Sequence, residues 1–307
     1  MKIVKPFAEL WTPDDIEKHI VRCAQICYAA EKIPINIHAW LEAKWTAGHK
    51  SIFRHGTYYF VIPVVVCTEM MRSFFKNNPY IGYYENKEFV FCSVNGQTYR
   101  ETPWFNHLYR YSTSELGLKG FINNEDDKNG ITKILRRTLY IQTQISTSRE
   151  LNRVSPNNIC EQSTRYCNYT INKFDGEVKI CEPWWFNDDF VINQDNFVVN
   201  GIKQQHYLRA IEIATNVYKE LIESGMKPQD ARGVLPLDTA TKCVYTYRME
   251  EWAHILDLRY YGKTGTPHPN AKIIANMIRL KLNDSLPEYQ DATWSDCYFP
   301  EKTNLDL

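Results

Sequence analysis

Residues 146–170, STSRELNRVSPNNICEQSTRYCNYT, bring Arg149, Arg153 and Arg165 together with Glu150, Glu161, Gln162 and a dense set of serines, threonines and asparagines. No glycine occurs between Gly130 and Gly176, so the segment offers side chains rather than bare backbone. Two readings follow from these residue types. One is a solvated, salt-bridged loop. The other is a pocket in which planar guanidinium forks take a phosphate while Glu, Gln, Ser and Asn read the polar edge of a ring. A second polar cluster comes later, as Ala231-Arg232-Gly233-Val234-Leu235-Pro236, then Arg248, Trp252, His254 and Arg259. A third comes earlier, as Gly48-His49-Lys50-Ser51 and Arg54-His55. His254 taken alone reads as a helix-face histidine.

These clusters need elements to hold them. Thr12-Pro13-Asp14-Asp15 reads as a helix start, with Thr12 as N-cap, Pro13 in the first turn and acids against the dipole. A second helix is expected after Pro34, stopping near Gly48. Residues 57–67 are β-branched and aromatic and predict a strand that Pro63 bends or places at an edge. Residues 80–94 predict a hairpin turning at Glu85-Asn86-Lys87. Residues 121–130, FINNEDDKNG, read as a polar loop with no core residue after Ile122. Thr138 to Ile145 predicts a strand, and Ser148 to Arg153 a short helix ended by Pro156. A strand is expected over 241–247, and helices over 203–224, 249–260 and 268–283. The stripe Tyr207, Ile211, Ala214, Val217/Tyr218 and Leu221 marks the apolar face of the first of these helices.

Composition bounds the rest. The 307 residues carry 36 Lys+Arg against 36 Asp+Glu, which disfavours a general nucleic-acid binder but leaves room for local arginines around a small anion. Hydrophobic residues at 44% and charged residues at 23% describe an ordinary globule. Neither G-x-G-x-x-G nor G-x-x-x-x-G-K-[ST] occurs, so a glycine loop would not be what binds a phosphate. The nine cysteines, without C-x-x-C, read as reduced thiols. Cys23 and Cys27 read as buried small side chains rather than a metal pair. No metal site is expected. The longest apolar run, residues 58–67, is about half of what spans a bilayer. A cytoplasmic protein is therefore expected, with no membrane partner. An α/β (α+β) fold is expected, with a central mixed or antiparallel sheet flanked by helices and a long insertion. Residues 1–307 form one domain in this reading, with 70–137 as the insertion and 285–307 as a tail.

In that order and spacing, Gly48-His49-x-Ser51, Arg54-His55, the Arg153 segment, Ala231-Arg232-x-x-Leu235-Pro236 and Trp252-x-His254 with Arg259 resemble the flavin-dependent thymidylate synthases. Gln162 to Tyr169, QSTRYCNY, looks especially similar. That family's signature is Arg-His-Arg, seven residues, then Ser. Arg153 and Ser163 stand at its first and last fixed positions, and Val154 and Ser155 replace the middle His and Arg.

The resemblance implies a homotetramer with sites between subunits and FAD held without a glycine loop. It implies reductive methylation of dUMP to dTMP, with methylenetetrahydrofolate as carbon donor and NADPH as hydride source through FAD. No enzyme nucleophile is required, in keeping with the lack of an obvious Cys/His or Ser/His pair. Carried over by position, Glu150, Glu161, Gln162, Ser163, Arg165 and Arg232 would bind the nucleotide. His55, Arg153, His254 and Arg259 would lie on the flavin side. Arg259 and Ser163 would be the catalytic pair, with the Arg259 charge near developing anion on the pyrimidine. Two alternatives stay open: FAD-dependent C5 modification of UMP or dCMP, and a non-catalytic nucleotide-binding relative.

Overall fold

The computed structural model describes residues 1–30, 32–186 and 194–286. Ten strands occur among them: β1 (Lys2–Val4), β2 (Phe7–Trp11), β3 (Thr57–Pro63), β4 (Ile81–Glu85), β5 (Phe89–Asn95), β6 (Ser112–Thr113), β7 (Arg136–Gln144), β8 (Ile159–Glu161), β9 (Lys179–Cys181) and β10 (Ala240–Arg248). They form an antiparallel sheet in the order β2-β7-β10-β8, a second antiparallel sheet in the order β4-β5-β3-β6, and a parallel β1-β9 pair. The mixed α/β class with antiparallel sheets is the one expected from the sequence.

The central sheet is built on β7 and β10, paired from Ala240↔Gln144 to Arg248↔Arg136. Side-chain alternation sends Leu139, Ile141, Cys243 and Tyr245 to one face and Tyr140 and Val244 to the other. The first face is covered by α11 (Met249–Arg259) and α12 (Pro269–Asp284), which contribute Trp252, Ile255, Leu256, Ile274 and Ile278. The second face packs on α1 (Ile16–Ile26) through Cys23. Burial on both faces explains why these strands are rich in β-branched and aromatic residues. The expected strands over 138–145 and 241–247 and the two late helices are all present.

The second sheet turns Tyr59, Val61 and Phe91 toward that same main core, beside Ile131 and Ile134. Its other face, through Phe60, Ile62, Val90, Cys92 and Val94, packs on Phe75 and Phe105. Those two rings come from α3 (Glu69–Asn77) and α5 (Trp104–Leu108), which flank α4 (Gly96–Glu101). Two arginines join the sheets. Arg136, buried, donates to the Arg54 carbonyl at 2.7 Å and to Thr57 Oγ1 at 3.1 Å. Arg137 forms a bidentate pair with Glu115, both contacts 2.7 Å, on α6 (Glu115–Lys119).

Local chemistry corrects three expectations and adds the cap to a fourth, the helix after Pro34, which is present as expected. Helix α1 starts at Ile16 because Asp15, not Thr12, accepts the capping bond, from the Lys18 N–H at 2.7 Å. The second helix, α2 (Ile37–Thr46), is capped by Asn36. Strand β3 ends at Pro63, whose carbonyl accepts from the Val66 and Cys67 N–H groups at 2.9 and 3.2 Å as the chain turns away from the sheet. Residues 121–130 form a loop only as far as Asn124, because α7 (Glu125–Ile134) occupies the rest, capped by Asn124 and acidic in its first turn. Asp127 in that turn is buried and accepts from Tyr84 Oη and Asn86 Nδ2, both at 2.9 Å. Burial raises its pKa, but these bonds with those from Asn123 and Asn124 outweigh it and hold the carboxyl below its ordinary value.

The hairpin turns where expected: Asn86 Oδ1 accepts from the Glu88 and Phe89 N–H groups between β4 and β5. Helix α8 (Ile145–Leu151) begins directly after β7, earlier than expected, and α9 (Gln194–Glu223) begins before residue 203. The Tyr207, Ile211, Tyr218 and Leu221 stripe of α9 packs on Tyr169 and Phe174. Helix α10 (Pro228–Ala231) follows. The expected tail at 285–307 lies, from residue 287 onward, outside the described residues.

Candidate active site

Three elements converge beyond one end of the central sheet: the first turns of α8, the chain leaving β8, and the 3-10 turn Arg232–Val234. They enclose a cleft of about 570 Å³ lined by Arg149, Glu161, Gln162, Ser163, Thr164 and Arg232, with Gly233 and Leu235 to Leu237 completing the wall. That volume suits a nucleotide-sized ligand. Of the residues expected to bind nucleotide, Glu161, Gln162, Ser163 and Arg232 therefore share one cleft, although 68 residues separate Arg232 from Thr164.

Local bonding fixes the cleft. Glu161 ends β8, and its Oε1 accepts from Ser148 Oγ at 2.8 Å and from Thr241 Oγ1 at 3.0 Å. Helix α8 and strand β10 thus both aim this carboxylate. Gln162 is buried, and its N–H donates to the Lys242 carbonyl at 2.8 Å. Ser163 N–H donates to the Cys27 carbonyl at 3.0 Å, and its Oγ accepts from the Arg165 N–H at 3.2 Å. That short turn places Thr164 where its Oγ1 accepts from Arg232 Nη1 at 3.0 Å. Chemically, exposed Arg149 and Arg232 present two guanidinium groups to an anion, and Glu161 presents an acceptor to an N–H.

Arg165 lies outside the cleft. It is exposed, donates to Gln229 Oε1 at 3.1 Å on α10, and packs over Tyr166. Arg149 and Thr164 line the cleft without having been assigned a role, and Ser148 and Thr241 hold Glu161 from outside the expected set. The signal for Ser148 and Arg149 was present in the polar segment itself. Nothing local marked Thr241, which reaches Glu161 through strand pairing with β8.

The residues expected on the flavin side separate into two groups. Arg259, at the end of α11, donates from Nε to the Glu150 carbonyl at 2.7 Å, with the Glu150 carboxylate 3.9 Å away. Burial first, and then the charge of Arg153, lower the Arg259 pKa, while Glu150 opposes them. Arg153 is exposed and donates to the Asn152 carbonyl at 3.2 Å; His254 is exposed on α11. These three could meet an anionic cofactor at the surface. His55 could not, because it is 1% exposed and its Nδ1 lies 2.8 Å from Thr246 Oγ1. Burial, with His19, Arg136 and Arg54 nearby, keeps its pKa well below the ordinary value. Thr246 Oγ1 also meets Thr138 Oγ1 at 2.8 Å, which lies 3.0 Å from His19 Nε2, so His55 belongs to a buried polar row. Arg248, unassigned from sequence, pairs with Glu250 at 2.7 Å and Glu251 at 3.0 Å at the start of α11. Val154, in the second signature position, packs against the main core, and Ser155 is exposed.

Among the described residues no group of three or more His, Cys, Asp or Glu is placed to hold a metal, and no helix is long and apolar enough to cross a membrane. The eight cysteines among them are free thiols.

Comparison with known proteins adds the following. A family profile described as thymidylate synthase complementing protein matches residues 121–288. No curated protein matches the chain. Among solved structures, it is similar to a UMP/dUMP methylase, PolB, from Streptomyces cacaoi bound with 5-Br dUMP, at 14% identity and a TM-score of 0.43, covering 92% of this chain and 93% of that one. The same methylase bound with 5-Br UMP is similar at the same identity and TM-score, with 92% and 91% covered.

Proposed function

Because this chain belongs to the thymidylate synthase complementing protein family, we propose that it is a pyrimidine-nucleotide methyltransferase that converts dUMP to dTMP. The observation that carries the reading is the meeting of Arg149, Thr164 and Arg232 with a fixed Glu161 in one cleft. Arg149 and Arg232 bind the phosphate, with Ser163 and Thr164 hydroxyls beside them. Glu161, held by two hydroxyls, accepts from the ring N–H, and Gln162 sits behind the same base. Arg259, tied to the Glu150 carbonyl, brings positive charge toward anion developing on the ring.

Arg153, His254 and Arg259 fit an anionic flavin dinucleotide, since all three are at least partly accessible and two are guanidinium groups. His55, enclosed in the polar row, does not fit a direct contact. FAD, when bound, supplies reducing equivalents taken from NADPH, and methylenetetrahydrofolate supplies the carbon. Self-association as a homotetramer belongs to this proposal. Arg165 and Tyr166, exposed outside their own cleft, are the side chains available to a partner's site. One catalytic domain over 1–307, carrying 70–137 as an insertion, also belongs to it; the main core, which takes side chains from both large sheets, supports that view. A cytoplasmic location completes it.

Incubation with methylenetetrahydrofolate, NADPH and FAD, with dUMP, UMP and dCMP compared as substrates, tests the proposal. Methylated product from dUMP is the expected result. Product from UMP or dCMP alone would replace the substrate, and no product from any would remove the activity. A second reading, nucleotide binding without turnover, is favoured by Val154, whose packing into the core gives the signature's second position no polar group. It predicts dUMP binding with no product.

A further inference from the structure

Behind the chain that leaves β8, thiols gather where the end of α1 packs on that strand. Cys23 and Cys160 share a buried cluster with Trp11 and Val244, and half-buried Cys27 packs against it. All three are free thiols, and none has a part in the nucleotide reading.

Their bonding separates a pair from the third. Cys23 is fully buried and turned to His19, with its Sγ 3.6 Å from Nε2. Cys27, the residue that ends α1, accepts the Ser163 N–H on its carbonyl at 3.0 Å. Its Sγ accepts from the Cys160 thiol and from the Glu161 N–H. Cys27 is therefore joined to residues 160, 161 and 163 of one short segment, and two of these, Glu161 and Ser163, line the cleft. Access divides the roles within the pair. Cys27 is open to solvent in part, whereas Cys160 is buried behind it. The bond from Cys160 lowers the Cys27 pKa, burial opposes it, and the Glu161 N–H adds to the lowering, while the Cys160 pKa is raised. A reachable thiol of enhanced thiolate character beside a buried partner is the arrangement of a redox-sensing cysteine and its resolving cysteine.

We propose that Cys27 and Cys160 are a modification site at which a hydroperoxide closes a disulfide between α1 and β8, and that the closed form binds the ligand of the cleft less tightly. The Cys27 sulfur takes one oxygen from hydrogen peroxide as the O–O bond breaks and a water leaves. The Cys160 sulfur then displaces that oxygen as a second water. Two thiols and one peroxide give one disulfide and two waters, with the sulfurs losing the two electrons that the peroxide gains. An S–S bond draws the sulfurs to about 2.05 Å, closer than two thiols joined through a proton. The end of α1 and β8 must then approach and carry Glu161 and Ser163 with them. Disulfide formation stands on the thiols alone; its effect on the cleft rests on the nucleotide reading.

Peptide mass spectrometry of the full chain, treated with limiting hydrogen peroxide and then iodoacetamide, tests the site. A cross-link between Cys27 and Cys160 that dithiothreitol reverses is the expected result, read on wild type so that no variant need fold. Cys160→Ala should leave residue 27 as a sulfenic acid that dimedone traps. In wild type, a cross-link from Cys27 to Cys23, oxidation of Cys27 without a cross-link, or no oxidation at residue 27 would overturn the site. Titration calorimetry with dUMP then reads the coupling. Affinity should fall about fivefold or more on oxidation, the low end of coupling between sites, and recover with dithiothreitol. Equal affinity in the two forms would overturn the coupling. Cross-linking in a protein that binds dUMP in neither form would sustain the modification site and remove the nucleotide reading of the cleft.

Discussion

Arg232 Nη1 donates to Thr164 Oγ1 at 3.0 Å, closing one side of the cleft between a turn after α10 and the chain leaving β8. The bond spends only part of the guanidinium fork, and Arg232 remains exposed. The side chain is therefore already aimed before a ligand arrives, which lowers the ordering cost of binding.

Arg232→Ala should weaken dUMP binding by one to two decades, since a charge-assisted hydrogen bond contributes about 1.5–3 kcal/mol and about 1.4 kcal/mol is tenfold. Its unfolding free energy should stay within about 0.5 kcal/mol of wild type, as expected at an exposed position. Titration calorimetry and urea unfolding read the two effects separately. Equal dUMP affinity in the variant would remove Arg232 from the site.

The buried row His19-Thr138-Thr246-His55 gives stability a pH dependence. Burial, then Arg22 and Arg136, lower the His19 pKa from 6.5 to about 4, and the His55 pKa is lowered as well. Between these values the unfolded chain binds more protons than the folded one, so stability falls as pH drops below 6.5. For His19 alone the loss by pH 4 is on the order of 3 kcal/mol. His19→Gln should flatten the slope of unfolding free energy between pH 6.5 and 4. An unchanged slope would show that His19 takes up its proton without unfolding.

Arg136 joins the two large sheets. Arg136→Leu leaves the Arg54 carbonyl and Thr57 hydroxyl without this donor, and a buried unsatisfied group costs about 1–3 kcal/mol. The urea midpoint should fall accordingly, with Arg136→Lys intermediate. A midpoint within error of wild type would mean that Arg136 adds nothing to holding the sheets together.

Cys27 should be the first thiol alkylated among the eight described. The Cys160 thiol bonded to it lowers its pKa against the opposing effect of burial, whereas Cys23, Cys92, Cys160 and Cys243 are buried with raised values. Limiting iodoacetamide followed by peptide mass spectrometry should find the label at residue 27, more slowly in Cys160→Ala. Prior labelling of Cys92 or Cys243 would contradict this.

These results show where the sequence was legible. Strands β7 and β10 are buried on both faces, and their β-branched and aromatic runs say so directly. The hairpin at Asn86 and the polar segment at 146–170 carried their own chemistry. Helix α7 did not, because Asp127 looks like a loop residue until the partners Tyr84 and Asn86, some forty positions earlier, are in place. Arg165 and Arg232 looked equivalent in sequence, yet one faces the cleft and the other lies across Gln229, a difference set by the turn at Ser163. His55 matched the family by position, but its burial against Thr246, 191 residues away, is a tertiary fact.

The visible absorption spectrum of the full chain, incubated with FAD, desalted and then titrated with dUMP, tests the central claim most directly. Retained flavin absorbance that dUMP perturbs saturably in wild type, with the perturbation shifted to higher dUMP in Arg232→Ala, is the predicted result. A desalted protein without flavin bands, and no spectral response to dUMP when FAD is resupplied, would contradict it.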